Sequence, residues 1–196
     1  MNADPRTRRF VILDRDGTIN VDRDHLSDPA DLELIPRAAS GLRKLRDAGF
    51  GLVVVTNQSV VGRGTVDGAG LEAIHAKLAE ILAEENTKVD ALYHCPHVPE
   101  DGCSCRKPQA DLVWQAARDL GFDPGRSFLV GDHLTDIEMG RAVGATTILV
   151  RTGHGNEIDA FRGEPPDHVA ADLDEAADII LSLVEQEEER ERADGA

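Results

Sequence analysis

Positive charge is in short supply. The 196 residues hold 21 Lys and Arg against 37 Asp and Glu, a formal charge of −16. Such a chain lacks the basic face needed to bind a nucleic-acid backbone. It equally lacks the basic patch that draws proteins to anionic lipid. The deficit is uneven, because residues 164–196 carry twelve acids and two arginines. Long apolar runs are missing too. No stretch approaches the roughly 20 residues of a membrane helix, and no secretory leader pattern opens the chain. The expected location is the cytoplasm. Only three cysteines occur, all between 95 and 105, which excludes a disulfide framework. There is no internal repeat and no Pro/Gly/Ser-rich linker. One domain over residues 1–196 is expected, with no nucleic-acid or membrane partner, and a monomer.

What is present alternates between strand and helix signals. Apolar runs at Phe10–Leu13, Gly51–Thr56, Val89–Tyr93, Ser127–Val130 and Thr146–Val150 predict strands, with a short one at His168–Ala170. Helical spacing spans Arg37–Ala48, Asp67–Glu85, Ala110–Leu120, Ile137–Val143 and Asp174–Glu189. The charge-rich end from Glu185 reads as a solvated helix end that frays. The alternation predicts an α/β fold: a three-layer, Rossmann-like, mostly parallel sheet with helices on both faces.

The strand ends carry the chemistry. The first ends in Asp14-Arg15-Asp16-Gly17-Thr18, the second in Thr56-Asn57-Gln58-Ser59, and the fourth in Gly131-Asp132, with Asp136 four residues on. Arg106-Lys107-Pro108 precedes a helix. In a parallel sheet these ends converge at one edge, where such folds bind ligands. Clustered carboxylates repel unless a cation neutralises them, and oxygen-liganded Mg²⁺ suits them. Lys107 and Thr56 suit phosphate oxygens. Singly, Asp136 reads as a helix cap and Lys107 as a surface lysine; together, in this order, they form one constellation.

From Phe10 to Thr152 the chain resembles the haloacid dehalogenase superfamily of phosphotransferases, whose four motifs these segments match in order. The resemblance implies a covalent mechanism. Asp14 attacks phosphorus. Asp16 protonates the leaving oxygen and then deprotonates water. Thr56 and Lys107 stabilise the transferring phosphoryl group. Mg²⁺ is held by Asp14, Asp132 and the backbone carbonyl of Asp16. About twenty residues separate Asp16 from the first helix, and residues 59–88 are mostly one helix. Neither gap holds a cap domain, so a capless, open site is expected.

Cys95-Pro-His97, then Cys103-Ser-Cys105, supply three thiolates and one imidazole, which suit a closed structural Zn²⁺ site. His94 is an alternative ligand, though the one-residue gap favours His97. This zinc loop, 95–105, runs straight into Arg106-Lys107. Its pattern resembles the superfamily branch of heptose-bisphosphate 7-phosphatases and the related histidinol-phosphate phosphatases. The branch implies a small-molecule sugar phosphate as substrate, lined by Asp22, His25, Asn57, Gln58, Ser59, Arg63, Arg106 and His133. Competing substrates are histidinol phosphate and a phosphorylated nucleic-acid end; a non-catalytic sugar-phosphate binder is the competing class. The chain departs from the branch at Asp24-His25-Leu26, at Val60-Val61, and at His133. His75, His154 and His168 read as surface or packing residues.

Overall fold

The computed structural model describes residues 8–158 and 164–194. Six strands form one parallel sheet: β1 (Phe10–Leu13), β2 (Gly51–Asn57), β3 (Ala91–Cys95), β4 (Phe128–Gly131), β5 (Thr146–Val150) and β6 (His168–Ala170). Their spatial order is β3-β2-β1-β4-β5-β6. The chain therefore builds outward on one side of β1 and then returns to its other side with β4. That reversal makes the gap between the carboxyl ends of β1 and β4 the topological switch point, where ligands bind in such sheets.

The helices are α1 (Ala38–Asp47), the single turn α2 (Ser59–Gly62), α3 (Gly68–Glu84), α4 (Asp111–Leu120), α5 (Leu134–Ala142) and α6 (Leu173–Asp194). Alternation along the strands sorts side chains to two faces. Val11, Leu13, Leu52 and Val54 pack with α1, α3 and α6 through Leu42, Ile74, Leu78 and Ile180. Phe10, Ile12, Val53 and Val55 pack with α4 and α5 through Val113, Ala116 and Met139. The expected three layers are thus present. The central strands β1, β2, β4 and β5 are buried on both faces and read as continuous apolar runs, while the edge strands β3 and β6 are only partly buried.

Three elements differ from expectation by two residues or more. Strand β3 begins two residues late, because Asp90 is used to close the start of β2: its backbone N–H donates to the Leu52 carbonyl at 2.7 Å and its carboxylate accepts from Leu52 N at 2.8 Å. The slip brings Cys95 into the sheet, paired with Asn57. Helix α5 starts at Leu134, three residues early, because Asp136 accepts from the His133 N–H at 3.0 Å and caps it. Helix α6 runs past Glu185 to Asp194. Arg9 pairs with Glu187 at 2.6 Å, and Arg192 pairs with Glu188 one turn earlier at 2.8 Å. The last two residues of that expected fraying end lie outside the described residues. Among the described residues no helix is long and apolar enough to cross a membrane.

The β1–α1 connection folds back on itself. Val21 N donates to the Glu33 carbonyl at 2.8 Å and Ile35 N to the Ile19 carbonyl at 3.0 Å. Leu26 and Leu32 are buried beneath it. Its tip carries Asp22 and Asp24 to the edge of the cleft.

Candidate active site

A cleft of about 320 Å³ opens over the switch point. At its floor the Lys107 ammonium lies 2.7 Å from Asp14 Oδ1 and 2.7 Å from Asp136 Oδ1. It also donates to the Val55 carbonyl at 3.2 Å. Lys107 is only 5% exposed. Burial works against its charge, but the Asp136 and Asp14 carboxylates outweigh burial and hold it protonated. Asn57 aims it: the Asn57 Oδ1 accepts from Lys107 N at 3.0 Å.

Asp14, Asp132 and Asp136 have carboxylate oxygens within 4.8 Å of one another. Three carboxylates face one ammonium, an excess of two negative charges when all three are ionised. Burial pushes Asp14 up to about 7, with Lys107 opposing and Asp136 adding to the shift. Burial pushes Asp132 up to about 8, reinforced by Asp14 and Asp136. The backbone is pressed against Asp132. A Cβ added at Gly17 or Gly153 would fall 2.2 Å from its Oδ2, so only glycine permits this approach. A compact group of hard oxygens with a twofold charge deficit suits a divalent cation.

Asp16 sits beside Asp14, but its carboxylate is turned into a set of buried donors. Arg15 Nη2 reaches Oδ1 at 2.9 Å and Oδ2 at 2.8 Å, Asn20 Nδ2 reaches Oδ1 at 2.8 Å, and Gln58 Nε2 reaches Oδ2 at 2.7 Å. Gln58 Nε2 also donates to Thr56 Oγ1 at 2.9 Å.

The cysteine loop gathers as its spacing suggested. Cys95 Sγ lies 3.1 Å from Cys105 Sγ and 3.6 Å from Cys103 Sγ, while His97 Nδ1 lies 3.2 Å from Cys105 Sγ and 3.5 Å from Cys95 Sγ. A tetrahedron with Zn–S bonds of about 2.3 Å has S···S edges of about 3.7 Å, so four soft donors already stand near that geometry. Burial pushes the Cys95 thiol up to about 12, so a nearby cation would be needed to keep it a thiolate. The loop is tied to the cleft. The Cys95 carbonyl accepts from Gln58 N at 2.7 Å, and the His97 carbonyl accepts from Arg106 Nη1 at 3.1 Å. His94 faces His75 instead, with ring centroids 5.3 Å apart. Burial, then the Arg15 guanidinium, lowers His75 to about 4. That guanidinium disfavours a cation beside this second histidine pair.

Of the residues expected to meet substrate, Asp22, Asn57, Ser59, Arg106 and His133 line the cleft. His25 and Arg63 are exposed and do not line it, and Gln58 is 3% exposed, behind Asp16. Arg23 pairs with Glu33 at 2.8 Å on the surface. His154, expected to be a surface or packing residue, lines the cleft. Its N–H donates to Asp132 Oδ2 at 2.8 Å, its Nε2 lies 3.2 Å from Asp22 Oδ2, and its ring stands edge-on to His133. Thr152 Oγ1 donates to the Gly17 carbonyl at 2.6 Å and holds the His154 loop there.

A family model described as HAD-hydrolase-like matches residues 104–176. A curated relative from Pseudomonas aeruginosa, D-glycero-beta-D-manno-heptose-1,7-bisphosphate 7-phosphatase, is 42% identical over 150 residues. That match takes in 76% of this chain and 84% of the relative. The chain belongs to the HAD-like phosphatases. A D-glycero-D-manno-heptose-1,7-bisphosphate 7-phosphatase from Chlorobaculum tepidum is 41% identical over 182 residues, covering 86% of this chain and 92% of the relative. The crystal structure of D,D-heptose 1,7-bisphosphate phosphatase from B. bronchiseptica, complexed with magnesium and phosphate, superposes with a TM-score of 0.84 at 36% identity. It covers 89% of this chain and 98% of that one. As a HAD-like phosphatase, this chain acts on phosphate esters, and the switch-point cleft is where its motifs meet.

Proposed function

We propose that this phosphatase removes the 7-phosphate of D-glycero-D-manno-heptose 1,7-bisphosphate through an aspartyl-phosphate intermediate. The observation that carries the reading is the pairing of Asp14 with Lys107 on the floor of the cleft, beside Asp132, in a chain whose relatives carry that name. Asp14 Oδ attacks phosphorus as the bond to the sugar oxygen breaks, and Asp16 gives its proton to that oxygen. Water then attacks phosphorus, Asp16 takes its proton, and the Asp14 carboxylate departs. Lys107 and Thr56 hold charge on the phosphoryl oxygens. Asp14, Asp132 and the Asp16 backbone carbonyl would hold Mg²⁺, which supplies charge neutralisation and phosphate orientation.

Cys95, His97, Cys103 and Cys105 would hold a structural Zn²⁺ that fixes the backbone presenting Arg106 and Lys107. Asp22, Asn57, Ser59, Arg106 and His133 are assigned to the sugar and its distal phosphate. His154 joins them, because it stands at the same edge of the cleft, paired with Asp22. The chain is read as a cytoplasmic monomer.

The test is phosphate release in Mg²⁺ from both anomers of heptose 1,7-bisphosphate, from histidinol phosphate, and from a 3′-phosphorylated oligonucleotide. The expected order places a heptose bisphosphate first in kcat/KM. A preference for histidinol phosphate or the oligonucleotide overturns the substrate, and binding without release overturns the mechanism.

A further inference from the structure

Three buried side chains converge on a single carboxylate. Arg15 has a side chain 1% exposed, and among the described residues Asp16 is its only acidic partner. Asn20 is fully buried and Gln58 nearly so. Together they make five hydrogen bonds to Asp16, at 2.7–3.2 Å. Burying a guanidinium is unfavourable unless it is well paired; here Nε and Nη2 are satisfied by a residue that faces the cleft, while the buried Nη1 has no hydrogen-bond partner among the described residues. The planar fork grips both oxygens and fixes the carboxylate plane, as a lysine could not.

Gln58 adds a second constraint. One amide nitrogen spans Thr56 Oγ1 and Asp16 Oδ2, so a hydroxyl facing the phosphate and the carboxylate next to it are set relative to each other by one side chain. Gln58 is itself anchored, because its backbone N–H donates to the Cys95 carbonyl at the end of β3.

We infer that Gln58, with Arg15 and Asn20, is a positioning residue for Asp16: the clamp aims the acid/base carboxylate at the leaving oxygen and does not itself touch substrate. The inference rests on the aspartyl-phosphate reading above. Placement matters here because a misplacement of about 1 Å in a reacting group costs on the order of 100-fold.

Leaving-group chemistry separates this role from a general structural one. A sugar alkoxide must be protonated as it departs, whereas p-nitrophenolate leaves readily without a proton. Removing an aimed acid therefore slows the first far more than the second. The experiment measures single-turnover phosphoryl transfer to the enzyme in Mg²⁺, by rapid quench, for wild type, Gln58→Met, Arg15→Lys and Asp16→Asn. Each is run with heptose 1,7-bisphosphate and with p-nitrophenyl phosphate. With enzyme in saturating excess, single-turnover rate constants do not depend on the fraction of protein that is folded.

Asp16→Asn sets the full split between the two substrates. Gln58→Met and Arg15→Lys are expected to slow the sugar phosphate about 10- to 100-fold, within the range that positioned acids contribute, and p-nitrophenyl phosphate by less than about 3-fold. Equal slowing of both substrates, or slowing of neither, overturns the clamp while leaving the phosphatase reading intact. A wild-type protein that transfers phosphate from neither substrate overturns that reading, and the clamp with it.

Discussion

Two groups of aspartates in this protein sit against basic side chains, and they respond in opposite directions. In the cleft, Asp14 and Asp132 are pushed up to about 7 and 8. On the α1–α6 seam, Asp174 is pulled down to about 2. Burial raises all three. On the seam it is outweighed by hydrogen bonds from Ser40, Lys44 and Arg37. Lys44 lies 3.0 Å from Asp174 and 2.6 Å from Asp178, and Arg37 pairs with both Asp174 and Asp172. On the seam two cations face three carboxylates and both reach Asp174, while the cleft holds one ammonium for three carboxylates. Carboxylates that serve folding, such as Asp174, meet cations of their own. Those that serve chemistry are left short of positive charge, which a ligand must bring.

The sharpest way to break the contrast is Asp14→Asn. Turnover should fall by at least about 10⁴-fold, the scale seen when a covalent nucleophile is lost, while the melting temperature stays level or rises. A normal rate in a phosphate-release assay would remove Asp14 from the mechanism. Next comes Cys103→Ser, which tests whether the cleft side depends on metal as the seam does not. Bound zinc should drop by elemental analysis. Melting should fall by on the order of 10 °C, or about 3 kcal/mol for a chain of this length.

A third comparison uses pH. Asp14 and Asp132 bind protons more tightly in the folded chain than unfolded. Without Mg²⁺ their contribution is full below about 3.8 and is lost as pH rises through about 7 and 8. Thermal melts between pH 5 and 9 should therefore decline in Mg²⁺-free buffer and flatten in Mg²⁺, and Mg²⁺ affinity should weaken as pH falls below about 7. A decline that persists unchanged in saturating Mg²⁺ would assign it to other groups. The seam runs the other way. Asp174 contributes above about 3.8, and that contribution is lost as pH falls through about 2. Asp174→Asn should cost about 1–2 kcal/mol at neutral pH after discounting for its half-exposed Arg37 partner. Denaturant melts should show that loss vanish in strong acid.

Much of the fold was legible because each strand is an apolar run with a polar residue at its end. The constellation was legible for the same reason: Asp14, Thr56, Lys107 and Asp132 mark strand or loop ends that a parallel sheet brings together. Orientation was not legible. Gln58 follows Asn57 in the chain, yet its side chain turns inward to Asp16, because its backbone is pinned to Cys95. His25 and Arg63 sit near motif residues in sequence but point to solvent. His154 was missed because a lone histidine long after Asp14 carries no spacing signal. The contacts of Gly153 with Asp132 and of Thr152 with Gly17 bring it in. The α6 end looked like a solvated tail because composition alone does not show that Arg9, far away in sequence, reaches Glu187.

The shortage of positive charge on the cleft floor has a kinetic consequence. A phosphate ester arrives as a dianion, and a floor that is already negative turns it away. Binding of the cation is therefore expected to favour binding of the phosphate, most strongly at a pH where Asp14 and Asp132 are ionised. Inorganic phosphate should compete with substrate only when Mg²⁺ is present, and raising Mg²⁺ should tighten it.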